Sequence, residues 1–151
     1  MLVPALAAAL TGCSASAVEV PLPGLQGEKV DRACAALLEA LPEQLDPGVE
    51  RRPVEPDAGR TAAWGDPPVT LECGVPAPER DEPPFAVNGV VFTTRDVGAA
   101  TRWTTYGRTV RAAFEVPDDY NGAEIILEVT EAVDTALPRD PSVPDPLEPP
   151  S

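Results

Sequence analysis

The chain has 151 residues, enough for one modest core and not for two. Its 25 acidic and 11 basic residues give a formal net charge of −14, a surface that repels phosphate backbones and argues against nucleic-acid binding. Histidine is absent, which excludes Ser-His and Cys-His nucleophile pairs and histidine metal sites.

The acidity suits solubility outside the cell, with attraction of cations such as calcium as the sharper alternative. Twenty prolines are too many for a compact domain throughout, so several stretches must be loop or tail. Ala, Pro, Gly and Arg are abundant and Lys29 is the only lysine, a bias that fits a GC-rich genome such as an actinobacterium's.

The chain begins MLVPALAAALTGC. Leu2 to Leu10 is an apolar run of signal-peptide length, too short to span a bilayer as a permanent helix. It ends in Leu10-Thr11-Gly12-Cys13, which resembles the lipobox of bacterial lipoproteins: an aliphatic residue, two small residues and a cysteine. Residues 1–12 therefore read as a lipoprotein signal peptide and Cys13 as the residue that takes lipid. No Lys or Arg precedes Cys13, although an export signal carries a basic start. An upstream start codon adding basic residues is therefore expected. Stable attachment needs two or more acyl chains, each buried methylene adding about 0.8 kcal/mol.

Residues 13–27 read as a lipidated tether punctuated by Pro and Gly. Residues 28–41 predict a helix, because Val30, Ala33, Cys34, Leu37, Leu38 and Leu41 form one apolar stripe and Pro42 stops it. Residues 42–67 hold five prolines and no hydrophobic period, and read as a long loop interrupted by Trp64. Val69, Leu71, Cys73 and Val75 alternate with Thr70, Glu72 and Gly74, a half-buried strand. Residues 76–84 are again loop, and 85–95 are β-rich; Asn88-Gly89 fits either a tight hairpin turn or a bulge. Residues 101–106 and 109–116 predict two strands joined at Gly107-Arg108, with Val110, Ala112, Phe114 and Val116 on one face. Residues 122–137 predict a second helix, with Ile126, Val129, Val133 and Leu137 on one side. The remainder, 138–151, is acidic and Pro-rich and reads as a disordered tail.

The order α-β-β-β-β-α predicts a single α+β domain over 28–137: an antiparallel sheet of about four strands with two helices packed on one face. Cys34 and Cys73 point into the same core, and export permits their oxidation. With Cys13 used by lipid, these two make one disulfide. It closes a loop of about 40 residues, for which chain entropy gives roughly 4 kcal/mol. A redox-active pair would want a C-x-x-C spacing, which is lacking.

Trp64-Gly65-Asp66-Pro67-Pro68 runs into the Cys73 strand. Trp64 and Asp66 are the candidate ligand or interaction surface, because a Trp beside a rigid Pro pair can line a groove. The plainer reading is that Trp64 covers the end of the core and Asp66 shapes a turn. Asp118-Asp119-Tyr120-Asn121-Gly122 with Glu128 faintly echoes a calcium loop, but Pro117 would occupy the first ligand position. The plainer account is an acidic, capped helix start, where negative charge suits the dipole. No cofactor and no metal is expected.

ACAALLEALP, AAWGDPPVTLECGVP and TRWTTYGRTVRAAFEVP followed by a helix resemble the actinobacterial lipoproteins grouped as domain of unknown function 3515. The resemblance covers most of residues 18–137, and Phe92 departs from it mildly, where Trp is familiar. It implies a membrane-attached extracytoplasmic protein on the outer face of the plasma membrane and carries no catalytic residue. The leading expectation is a non-catalytic binding or interaction module at the cell envelope, with the membrane and an envelope protein as partners. The alternative is an enzyme that uses two carboxylates on wall polysaccharide, which needs converging acids in one cleft. Capture of a small apolar ligand would need a sizeable cavity.

Overall fold

A computed structural model describes residues 15–78 and 82–148. The first helix, α1 (Glu28–Ala40), buries Ala33, Cys34 and Leu37, three members of the predicted stripe. Glu28 and Asp31 lie in its first turn, where negative charge suits the dipole. Leu41 turns extended before Pro42, as the steric bulk of a proline ring requires of the residue ahead of it. The second helix, α2 (Gly122–Ala136), buries Ile125, Ile126, Val129, Thr130, Ala132 and Val133.

Before α1 lies β1 (Val18–Glu19). Between α1 and the Cys73 strand lie β2 (Arg51–Arg52), β3 (Val54–Glu55) and β4 (Thr61–Trp64). Then come β5 (Val69–Cys73), β6 (Pro84–Val87), β7 (Val90–Asp96), β8 (Ala100–Thr105) and β9 (Ala112–Pro117). Seven of these form one antiparallel sheet in the order β2-β4-β5-β9-β8-β7-β6, and β1 pairs with β3 in a small parallel sheet.

The fold class is as expected, but seven strands replace about four. Two differences account for this. The β-rich stretch 85–95 is a hairpin: Val87 pairs with Val90 across Asn88 and Gly89, both at positive φ, the backbone that a two-residue turn of this hand demands. The stretch 42–67 is also not all loop. Within it, β4 is buried at all four positions and shows no alternation, and β2 is a pair of arginines. Neither carries the period-two pattern by which a strand is recognised. The hairpin at Gly107-Arg108 is present, with a wider loop because β9 starts at Ala112.

One core joins the helices to a single face of the sheet through Leu37, Leu71, Phe92, Phe114, Ile126 and Val133. Cys34 and Cys73 form the disulfide at its edge, with Cα atoms 5.6 Å apart. The opposite face carries two cross-strand rows, Thr70-Glu115-Arg102-Arg95 and Thr61-Glu72-Ala113-Thr104-Thr93.

Both segments expected to flank the domain make contact with it. Val18 and Val20 are buried against Ala63 and Val54. Residues 138–148, read from composition as the start of a disordered tail, fold back over the Gly107 turn: the Asp140 amide bonds to the Gly107 carbonyl at 2.8 Å.

Candidate functional site

The Trp64-Gly65-Asp66-Pro67-Pro68 segment is the corner between β4 and β5, where Trp64 pairs with Val69. Trp64 is fully buried; its indole N–H donates to the Pro42 carbonyl at 2.9 Å, and Arg51 lies over its ring at 4.8 Å. The structure thus corrects the reading of Trp64 as a ligand surface, since the ring presents nothing to solvent. Gly65 has φ +72°, and a Cβ there would lie 2.8 Å from the Tyr120 hydroxyl. Tyr120 donates that hydroxyl to the Pro67 carbonyl at 2.8 Å, and burial raises its pKa. The corner is a lock: glycine is required where tyrosine passes.

Asp66 is different. Its side chain is 92% exposed, and Arg52 approaches it at 4.0 Å. Arg52 donates to the Gly65 carbonyl and to the Ser16 carbonyl, both at 2.9 Å. The incoming chain is therefore fixed at this end of the sheet from Ser16 onward, and Val18 then bonds to the Pro53 carbonyl at 2.8 Å. A shallow concavity of about 390 Å³ lies here, lined by Ala15, Ser16, Glu50, Arg52, Gly65 and Asp66 among others. Cys13 lies outside the described residues, three positions upstream of Ser16.

The expected site residues thus separate. Cys34 and Cys73 meet as a disulfide, Trp64 goes into the core, and Asp66 stands at the surface where the N-terminal segment enters. The partner that sequence reasoning missed is Arg52. It lies in a stretch dominated by proline, and only its cross-strand pairing with Ala63 reveals its position.

Carboxylates elsewhere meet arginines. Glu72 and Glu115 both bond to Arg102, at 2.5 and 2.7 Å. Burial opposes the charge of Arg102, but these two acids, Glu72 first, raise its pKa overall. The concavity beside Arg102 also holds Arg95 and Glu82, an ion pair at 3.3 Å. Buried Arg108 bonds to the Leu137 carbonyl at 2.7 Å and to Asp134 at 2.9 Å, closing the end of α2. Arg60 joins Asp31 at 2.6 Å and also bonds to the Leu25 carbonyl.

A general acid needs a raised carboxyl pKa. Among the described residues two carboxyl groups depart from the ordinary range, both in the opposite direction. Asp140 is held below the usual carboxylate range by the Ser142 hydroxyl and then its amide, and Asp145 by the Leu147 amide and then Arg139. Among the described residues no group of three or more His, Cys, Asp and Glu side chains is placed to hold a metal, the Asp118–Glu128 stretch included. No helix among them is long and apolar enough to cross a membrane.

The chain is thus a disulfide-bonded α+β domain with an arginine-tied N-terminal segment. The family model described as protein of unknown function (DUF3515) matches residues 1–142, and the chain belongs to that family. No curated protein and no solved structure matches it.

Proposed function

We propose that this protein is an exported lipoprotein, with lipid on Cys13 holding a non-catalytic binding or interaction module against the outer face of the plasma membrane. The observation that carries this reading is the division of labour among three cysteines. Cys34 and Cys73 consume each other in a disulfide, a bond suited to an oxidising compartment, and leave Cys13 without a partner at the end of an apolar run. The fixed position of Ser16 supports it further: an acyl group on Cys13 would lie within about 11 Å of the domain, at three residues of extended chain. The arginine-paired acids of the surface favour binding over carboxylate catalysis.

The test is mass spectrometry of the N-terminal peptide of the protein isolated from its native membrane. The expected mature chain starts at Cys13 and carries a diacylglyceryl thioether. An intact chain retaining residues 1–12 with a free Cys13 thiol would overturn the reading.

A further inference from the structure

A second surface feature lies at the other end of α1. A groove of about 340 Å³ runs between the helices, floored by Ala33, Ala36, Val110 and Ala136 and flanked by Lys29 and Arg32. Its floor is almost entirely carbon. Its rim is the unusual part, because the chain carries a net charge of −14.

The basic side chains sort into two groups. Arg52, Arg60, Arg95, Arg102, Arg108 and Arg139 each meet a carboxylate, and Arg51 covers Trp64. Lys29, Arg32 and Arg111 are the described bases that make neither an ion pair with a described carboxylate nor a contact over an aromatic ring. All three belong to this end of the molecule: two flank the groove, and Arg111 follows Val110 of its floor. Of the nearby acids, Asp31 is paired with Arg60, and Asp140 feels Arg111 and Lys29 through space without forming an ion pair with either. Asp140 accepts from the hydroxyl of Ser142 at 2.6 Å. Lys29 and Arg32 also sit at the N-terminal end of α1, where the helix dipole disfavours positive charge. Helix stability therefore does not explain them.

We propose that this groove binds an anionic amphiphile: a fatty-acid carboxylate whose alkyl chain lies on the alanine and valine floor and whose head meets Lys29 and Arg32. The dimensions favour a small ligand over a protein. Pockets for small ligands start at about 300 Å³, whereas a standard protein interface draws on about 20–30 residues a side. Eight residues line this groove. Cys13 is not part of the groove, and the proposal does not depend on its modification.

The test is a titration of the full chain, disulfide intact, with sodium decanoate below micelle formation, followed by amide NMR shifts. Saturable shifts centred on Ala33, Ala36, Val110 and Ala136 are expected, with decyltrimethylammonium, the same tail with opposite charge, at least tenfold weaker. Lys29→Glu combined with Arg32→Glu should weaken decanoate at least tenfold. Ala36→Phe, at an exposed helix position, should block the floor with the charges kept. Absence of saturable shifts at these residues would overturn the proposal. So would equal binding of the cationic amphiphile, or unchanged decanoate binding by both variants with native spectra.

Discussion

The two ends of the sheet are held by different means. At the β4–β5 corner, Trp64, Gly65, Tyr120 and Arg52 interlock through packing and hydrogen bonds, and the incoming chain is tied there at Ser16. At the other end, Cys34 and Cys73 make a covalent staple, and the surface beside it keeps an apolar groove with unpaired bases. The closed end uses its polar groups on itself. The stapled end adds its covalent bond to ties of its own, Arg60 to Asp31 and Arg108 to Asp134, and still keeps an apolar groove open beside α1. A domain of this size has few residues for stability, and a disulfide there supplements the packing around it.

That contrast can be broken at either end. Trp64→Ala removes a fully buried ring and its bond to Pro42, and should cost about 3–5 kcal/mol in urea unfolding. Cys34→Ser or reduction opens a loop of sequence separation 39 and should cost about 4 kcal/mol, with native secondary structure retained below the lowered melting point. An unchanged melting temperature on reduction would deny the staple its role. Gly65→Ala forces a left-handed conformation on alanine and pushes its Cβ against Tyr120; a loss of about 2 kcal/mol is expected. Tyr120→Phe, which keeps the ring and removes one hydrogen bond, should cost about 1 kcal/mol. If Gly65→Ala and Tyr120→Phe were additive in the double variant, the two would not form one lock.

The smallest effect is one of pH. Asp140 and Asp145 have pKa values lowered by the fold, so their contribution is present above the ordinary carboxylate range and fades as pH falls through the lowered values. Both are partly exposed to solvent, which screens them, and the effect should be a shallow acid-side slope. Asp140→Asn should flatten it, measured as melting temperature against pH.

The sequence revealed those elements whose side chains obey a period. The stripe of α1, the alternation of β5 and the common orientation of Cys34 and Cys73 were all readable, because each follows from 3.6 or 2 residues per repeat. Asn88-Gly89 was legible as either a tight hairpin turn or a bulge, and the structure has the turn. Edge and flanking elements escaped. Val18 and Val20 are buried by a small parallel sheet whose partner, β3, lies between Pro53 and Pro56, where no local pattern announces it. The candidate site divided in the same way. Trp64 and Asp66 are adjacent turn residues in sequence, yet one is wholly buried and the other 92% exposed. Burial of the first follows from Pro42 and Arg51, contacts across more than ten residues that no spacing encodes.

The bond from Arg52 to Ser16 has a consequence for how far the molecule can search. Fifteen flexible residues from 13 to 27 would let a domain wander by about 20 Å from its lipid. Fixed from Ser16, a domain anchored at Cys13 has about 11 Å of slack, little more than the width of a helix. On the proposed lipid anchor, such a domain would keep close to one height above the bilayer, with the β4–β5 corner toward the membrane and the N-terminal end of α1, about 20 Å of helix away, turned outward. A partner would then have to arrive at that height.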